Sequence, residues 1–475
     1  MFVFTNCEDT SDPEFVGGLA QSFCAICVSA PPTESSSPTV QPSVSSSPSV
    51  PPTFGPTQSP VVTESPTSGT DTPTLVPTTE SPTLTPAPDW VFEEFYSGLD
   101  PDELFGTSVA ISDDGEFFIG GAPGASLDFT DEGRIDLVEI ESDTTTGAEG
   151  LAEGDNFGFA VSMASTPEFS AAFGRGREIL EVFDANLDIR QEIELSEFSS
   201  DTTIFQISDD GSWIVVAGDE AVDGNPPGLR VRVYGLVEGT GGTSSYEQFW
   251  QSDIDSSFGD PGQYKVDITD DGANIVVTTV GNADIDQTGS FRVYQRNDAE
   301  SEYVPLGSPV ESTEEDDLFG QSVGITVTNS NDLIVAVGVA GSAKVIVYIF
   351  DGTTWKQYVE INPASDFDDQ SLFGYDLSMD QFGSRIIIGA PCYTDDATPD
   401  TSCDGAIQVF DIAQDSAEPV GSILAGMEAS EFGTSVAMSA DGNTFVAGAP
   451  KDCFGDDDCP GFVYLFVFDE TPDDA

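Results

Sequence analysis

The chain has 475 residues, of which 85 are Asp or Glu and 13 are Lys or Arg, so its formal charge is −72. A surface this acidic repels nucleic acid and anionic lipid, so the composition excludes both as partners. The sequence contains no His, which excludes Ser-His-Asp and Cys-His catalysis and the common His-based metal sites. The charge suits divalent cations or basic partners, but it also suits a surface that repulsion keeps soluble.

The first segment, residues 1–29, has too little apolar content to fold alone. It carries Cys7, Cys24 and Cys27, an odd number, so their pairing and role stay open. Its start, MFVFTNCEDT, has no basic region and no long apolar run, so we identify no signal peptide. We expect that the segment is a remnant of a longer domain, or that the N-terminus is incomplete. No run in the chain approaches the length of a transmembrane helix.

The second segment, residues 30–88, is rich in Ser, Thr, Pro and Val. Its proline density disfavours helix and sheet and favours extended polyproline geometry. Ser and Thr beside Pro are typical of O-glycosylated stalks, although a plain disordered spacer has the same composition. We therefore predict a disordered linker that is sensitive to protease when it carries no glycans.

From residue 89 onward the composition becomes aromatic, β-branched and punctuated by Gly, with no sustained helical periodicity. The phrase FGTSVAISDDGEFFIGGAP begins at Phe105 and returns as FGYDLSMDQFGSRIIIGAP at Phe373 and FGTSVAMSADGNTFVAGAP at Phe432. A degenerate copy, IFQISDDGSWIVVAGD, surrounds Phe205. Seven copies follow one another with a mean period of about 54 residues. Their Phe positions are Phe105, Phe157, Phe205, Phe258, Phe319, Phe373 and Phe432.

Each copy reads as a meander of strands bounded by turn residues, with a third run after GAP and a weaker fourth run. Four strands in each of seven repeats predict an all-β fold, a seven-bladed β-propeller that spans residues 89–475. The second copy has lost its DG turn and its GAP, so its blade departs most from the pattern. The last copy lacks a fourth strand, and we expect the spare run from Trp90 to Tyr96 to pair there and close the ring.

The recurring motifs FG, SVA, DG and GAP resemble the FG-GAP repeats of the integrin α-chain propeller and of secreted microbial and algal proteins. The resemblance covers about residues 90–470 and is strongest in the first, sixth and seventh copies. It implies extracellular adhesion or recognition, with ligands bound on one face of the disc. Integrin-type repeats carry an Asp-x-Asp-x-Asp-Gly calcium loop, whereas this chain has only SDDG, TDDG or SADG there. We interpret these as tight hairpin turns, so no family calcium site is transferred and the metal stays unknown.

Acidic residues cluster in the loops that lead into each copy and in the loops after GAP. In a four-stranded meander these two loop sets open on the same face, so we predict an acidic ligand face there; a solvated rim is the alternative. The pairs Cys392–Cys403 and Cys453–Cys459 each lie within one of these loops and predict disulfides in an oxidising compartment. The predicted ligand-face residues are Glu314, Glu315, Asp316, Asp317, Asp366, Asp368, Asp369, Asp395, Asp396, Asp404, Asp452, Asp456, Asp457 and Asp458.

These features favour a monomeric extracellular or cell-surface module that recognises a protein, a glycan or a cation-bridged ligand. We expect no catalytic residues and no required cofactor, with weakly bound calcium as the one ion that the charge would attract. The alternatives are a structural component of a cell wall or matrix, and a glycosidase that uses paired carboxylates. Two inward carboxylates at the central channel beside exposed aromatic rings would favour the glycosidase.

Overall fold

Each copy of the repeat forms one antiparallel sheet in the computed structural model. The structure describes residues 89–127, 129–199, 201–220, 228–239, 243–253, 263–281, 288–314, 317–365, 367, 370–394, 403–453 and 459–469. The predicted stub and linker, residues 1–88, and Phe258 lie outside the described residues. The described residues form seven sheets, so the prediction of an all-β, seven-bladed propeller is confirmed.

The first three blades use one strand order, from the innermost strand to the outermost. The divergent second copy, which has neither DG nor GAP, still forms a complete blade. Their strands are β2 (Ser108–Ile111), β3 (Phe117–Ala122), β4 (Arg134–Glu139) and β5 (Thr144–Glu149); β6 (Ala160–Met163), β7 (Ser170–Phe173), β8 (Ile179–Phe183) and β9 (Ile189–Glu194); β10 (Ile204–Ile207), β11 (Trp213–Glu220), β12 (Gly228–Glu238) and β13 (Ser244–Gln251).

Blades 4 to 7 repeat the same order, with one extra strand in blade 4 and a short 3-10 helix in blade 5. Their elements are β14 (Tyr264–Ile268), β15 (Asn274–Thr279), β16 (Ser290–Asn297), β17 (Glu302–Pro305) and β18 (Val310–Glu311); β19 (Phe319–Val327), β20 (Leu333–Val339), the helix Ala340–Ser342, β21 (Lys344–Phe350) and β22 (Trp355–Ile361); β23 (Asp376–Met379), β24 (Arg385–Ala390), β25 (Ala406–Ala413) and β26 (Ser416–Ala425); β27 (Ser435–Met438), β28 (Thr444–Ala449) and β29 (Phe462–Asp469).

The core lies between blades rather than inside them. The second strand of a blade is buried on both faces, as in β24 with the sequence RIIIGA, whereas an outer strand such as β5, TTTGAE, is mostly exposed. Seven buried clusters of apolar side chains occupy the seven junctions between neighbouring blades. A blade therefore buries its apolar faces only against its neighbours, which is why a single repeat cannot fold alone.

The FG and GAP motifs are the two halves of a joint between neighbouring blades. A Cβ on Gly448, in the GAP of blade 7, would lie 2.0 Å from the carbonyl oxygen of Gly106, in the FG of blade 1. The hydroxyl of Ser435 donates a 2.7 Å hydrogen bond to that same oxygen. Gly106 itself has φ +88°, a backbone conformation that favours Gly. Three further junctions repeat the close approach: Gly121 to Gly158, Gly338 to Gly374, and Gly389 to Gly433.

The Asp-Gly segments between the first two strands are hairpin turns held by their own side chains. The hydroxyl of Ser112 donates to Asp114 at 2.6 Å, and the same Asp114 carboxylate accepts the backbone N–H of Glu116. Ser208 with Asp210, Thr269 with Asp271, and Ser439 with Asp441 repeat the arrangement. The turn geometry thus accounts for the second Asp of each motif without a metal.

The ring closes with the strand that precedes the first copy, as the sequence predicts. Strand β1 (Asp89–Ser97) pairs antiparallel with β29, with Trp90 opposite Phe468. Trp90 is 5% exposed, its ring lies 4.6 Å from that of Phe445, and its indole N–H donates to the carbonyl of Val420 in blade 6. The closing strand therefore completes the sheet of blade 7 and also connects that blade to blade 6 through the Trp90 hydrogen bond.

We predict that Gly448→Ala destabilises the propeller by about 3 kcal/mol or more, because the new methyl group meets a backbone oxygen of the next blade. The matched control is Gly352→Ala in an outer hairpin, where a Cβ meets nothing within 4 Å. In that variant only the positive φ of residue 352 is unfavourable, so the free energy of unfolding should fall by about 1 kcal/mol. Urea unfolding measures both, and an equal loss in the two variants would contradict the joint.

We predict that Trp90→Ala lowers the free energy of unfolding by about 3–5 kcal/mol, because it empties a buried aromatic cluster at the closure. Phe92→Ala is the control, since Phe92 lies on the same strand with 47% of its surface exposed. Its loss should stay below about 1 kcal/mol. Chemical denaturation followed by Trp-independent circular dichroism checks both values, and a Trp90→Ala loss as small as that of Phe92→Ala would refute this role of Trp90.

Candidate functional site

Two loop sets meet at one end of the propeller. We call the loop that leads into the first strand of a blade the FG loop, the loop between the second and third strands the GAP loop, and their common surface the loop face. The backbone N–H of Glu431 donates to the carbonyl of Cys403 at 2.9 Å, and that of Asp102 donates to Cys459 at 3.1 Å. Each bond joins a GAP loop to the FG loop of the next blade, so the two sets share one face.

Both predicted disulfides are present in the structure. Cys392 and Cys403 have Cα atoms 4.0 Å apart in the GAP loop of blade 6, and Cys453 and Cys459 have Cα atoms 3.9 Å apart in that of blade 7. Each closes a short loop, for which the chain-entropy model predicts about 2–3 kcal/mol of stabilisation. They join the two ends of the GAP loop in blade 6 and in blade 7.

Of the predicted ligand-face residues, the structure describes Glu314, Asp317, Asp404 and Asp452. Glu314 is exposed, whereas Asp317 and Asp452 are buried. The positions that lie outside the described residues are Glu315, Asp316, Asp366, Asp368, Asp369, Asp395, Asp396, Asp456, Asp457 and Asp458.

Three of the four described acids hold the loops themselves together. Asp317 accepts the backbone N–H of Phe319 at 3.0 Å and the hydroxyl of Ser312. Asp404 accepts the backbone N–H of Ala429 at 2.9 Å, and Asp452 accepts the hydroxyl of Tyr464. The carboxylates available to a ligand are therefore fewer than the sequence count.

A buried polar group two residues before the FG Phe recurs in several blades, and Asp317 is one of these groups. Glu103 accepts the backbone N–H of Leu99 at 2.7 Å, and Asp155 accepts those of Leu151 and Ala152. The intervening residue takes a left-handed backbone conformation, with φ between 48° and 59°. The signal is visible in the sequence as ELFG, DNFG, DLFG, SLFG and SEFG, which our reading of the FG motif alone missed.

Most of the basic residues form ion pairs with carboxylates of the protein itself. All 13 Lys and Arg lie in the described part of the chain, and at least nine form ion pairs there. Arg134, for example, contacts Asp136 at 2.7 Å and Glu103 at 3.4 Å. The nine are Arg134, Arg177, Arg230, Arg232, Arg296, Lys344, Lys356, Arg385 and Lys451.

The second candidate region is the axis of the ring, which the innermost strands surround. Polar side chains of one innermost strand accept backbone N–H groups of the next: Asp267 accepts Ile325 and Asp376 accepts Val436, both at 2.8 Å. Burial raises the pKa of Asp267 to about 7 and that of Asp376 to about 6, although the nearby Lys265 lowers the latter. Sequence analysis did not predict these groups, because the β-strand alternation hides them among ordinary polar positions.

At the end of the axis opposite the loop face, the hairpin tips are bonded in sequence around the ring. Asp113 donates its N–H to the carbonyl of Ser165, and Ser165 donates to Asp209. Burial raises the pKa of the Asp209 carboxyl well above its usual range, and the Asp270 and Asp113 carboxylates raise it further. The Asp209 and Asp270 carboxylates therefore lie close enough for their charges to interact.

No group of three or more Asp, Glu or Cys side chains in the described residues has the geometry to hold a metal ion. Within the same residues, no helix is long and apolar enough to cross a membrane.

No protein-family model matches the chain, and no curated protein matches it. The FG-GAP resemblance therefore remains a resemblance. Among solved structures, the chain is similar to the Dos1 propeller, with 10% identity, TM-score 0.44, and coverage of 80% of this chain and 95% of that one. It is also similar to Hsv2 of Kluyvelomyces marxianus (11%, TM-score 0.39, 74% and 90%) and to a functionally unknown protein of Desulfotomaculum acetoxidans (15%, TM-score 0.41, 72% and 99%).

We predict that the propeller becomes more stable as the pH falls from 8 to 5. Asp267 has a folded-state pKa of about 7, far above that of an unfolded Asp, so the folded state binds its proton more tightly. Above this folded-state pKa the ionised Asp267 carboxylate lowers the free energy of unfolding by its full amount. This destabilisation decreases as the pH falls through the folded-state pKa and the carboxylate takes up a proton. Asp267→Asn keeps an oxygen for the Ile325 N–H and should gain about 2 kcal/mol at pH 8 and flatten the profile.

Urea unfolding at several pH values between 5 and 8 measures this effect. Glu93→Gln removes the same charge from an exposed site on β1 and serves as the control. A profile for Asp267→Asn that parallels those of the wild type and of Glu93→Gln would contradict the prediction.

Proposed function

We propose that this protein is a non-catalytic extracellular recognition module that binds a basic protein, or a glycan through a bridging cation, on the loop face. The fold supplies a rigid frame for such a role, because seven blades bonded in a closed ring hold loops from different repeats side by side. Loops that a rigid frame holds side by side commonly carry binding sites.

The observation that carries the proposal is the imbalance of charge that remains after internal pairing. At least nine of the 13 basic residues are bound to carboxylates within the fold. The chain has 85 acidic residues, so most carboxylates have no cation of this protein beside them. A basic surface or a divalent cation that approaches the loop face would relieve their mutual repulsion and would associate faster.

The extracellular setting has separate support. Two disulfides lie in the GAP loops of blades 6 and 7, and disulfides persist mainly in oxidising compartments. The preceding Ser/Thr/Pro-rich segment has the composition of a glycosylated stalk.

We predict that an immobilised oligolysine peptide binds the intact protein, and that a loop-face variant binds it at least tenfold more weakly. The variant replaces Asp395, Asp396, Asp456, Asp457 and Asp458 by Asn. The control removes five charges from outer strands by replacing Glu93, Glu94, Glu192, Glu194 and Glu247, all of them exposed, with Gln. Biolayer interferometry at matched ionic strength compares the two.

A glycan array with and without calcium forms the second arm of the same experiment. Calcium-dependent glycan binding that the loop-face variant loses would support the cation-bridged form of the proposal. Equal losses in the loop-face variant and in the control would refute a loop-face site and favour a structural role for the overall charge.

A further inference from the structure

Blade 2 departs from the repeat at a position where blades 1, 6 and 7 carry the Pro of GAP. Arg175 stands at the place of Pro123 in blade 1, as the pairing of the adjacent strands shows. It is flanked by Gly174 and Gly176, whose Cβ atoms would lie 2.3 Å and 1.9 Å from carbonyl oxygens of the blade 2 FG loop. Gly124 makes the same close approach in blade 1. The backbone around Arg175 therefore keeps the path that it has in blade 1.

The Arg175 side chain reaches the loop-face end of the axis. Its guanidinium carbon lies 3.7 Å from the centre of the Phe159 ring, and Phe159 directly follows the FG of blade 2. Tyr375 follows the FG of blade 6, on the far side of the ring, and the two groups interact electrostatically. We call the space bounded by Phe159, Arg175 and Tyr375 the axial mouth.

Arg175 is an unusual cation in this chain, because no carboxylate of the described residues pairs with it. Its Nε is buried and has no hydrogen-bond partner. Arg134, Arg232 and Arg292 also have a buried Nε without a partner, but each of them interacts with other groups of the protein, Arg134 and Arg232 through ion pairs. Burial lowers the pKa of Arg175, which Asp201 and Tyr375 partly offset. A half-buried guanidinium that lacks an ion pair in so acidic a protein costs stability and calls for an anion.

We propose that the axial mouth binds a single carboxylate group of a ligand, with Arg175 as its anchor. A guanidinium fixed on an aromatic ring presents two N–H groups that match the two carboxylate oxygens. The partly buried setting strengthens that contact relative to water. Asp376 lies further along the innermost strand of blade 6, directly after Tyr375, and Asp201 lies beside Arg175. These acids repel a polyanion, so the ligand is an organic monocarboxylate on an uncharged carrier.

This site is independent of the loop-face acids, because it binds an anion at the axis whereas they bind cations on the loop face. The protein can lose its binding of oligolysine and keep the carboxylate site, or the reverse, so the two proposals fail separately.

The experiment titrates the intact protein, labelled with ¹⁵N-arginine, with sodium acetate against sodium chloride at constant ionic strength. We expect one arginine Nε–H signal to shift and saturate with acetate, and the shift to vanish in Arg175→Gln. Arg190→Gln is the matched control, because Arg190 also lies over a Phe ring of blade 2, at 4.3 Å from Phe169, but is exposed on an outer strand. That variant should bind acetate as the wild type does.

Two carriers distinguish the source of the carboxylate, an N-acetylated amino acid and a methyl glucuronide. We expect one of these two carriers to bind more tightly than acetate. The affinity of Arg175→Gln for that carrier should be about tenfold lower or more, because a charged hydrogen bond is lost. Methyl glucoside, which lacks the carboxylate, should not shift the signal.

Stability provides a second readout that separates a binding residue from a structural one. Because Arg175 is an unpaired, half-buried charge, Arg175→Gln should melt at or above the temperature of the wild type. Absence of a saturable shift with all three carboxylates, an equal shift with chloride, or a lower melting temperature for Arg175→Gln would each overturn the proposal.

Discussion

The structure depends on the contact between the FG of one blade and the GAP of the blade before it. The carbonyl of the FG Gly lies where the Cβ of any other residue in the GAP would be, and a hydroxyl such as that of Ser435 bonds the same oxygen. This joint recurs at four junctions of the ring, where it sets how far one blade slides along its neighbour. Ring geometry and the sharing of one face by the FG and GAP loops both follow from it.

The role of a charged side chain in this protein depends on how deeply it is buried. Cations such as Arg134 and Arg177 are buried against carboxylates near the FG loops. Carboxyls along the axis, such as Asp267, accept backbone N–H groups between blades and hold their protons at higher pH than usual. Other described acids, such as Glu93 and Glu194, are exposed. Under the two proposals made above, the protein binds cations on the loop face and one anion at the axis.

The divergent second blade shows how a repeat can lose its motif and keep its fold. Blade 2 lacks the DG turn and the GAP, yet it keeps Asp155 and Phe157 in the buried FG loop and keeps Gly174 and Gly176 against that loop. Gly176 stands at the position of Gly124 and keeps its close approach to the FG loop, whereas Phe173 replaces the Gly of GAP and Arg175 replaces its Pro. Divergence at the Arg175 position changes the surface without changing the ring.

The sequence alone determined the blade number, the four-stranded meander, the closing strand at Trp90 and both disulfide pairs, because each rests on spacing along the chain and on alternation of apolar residues. It also determined the Asp-Gly turns, since those bonds are local. The tertiary structure decided the rest. Asp209 interacts electrostatically with Asp270, and Arg175 with Tyr375, across the ring. No local pattern records these interactions, because they arise only when the ring closes and sets residues far apart in sequence at one axis.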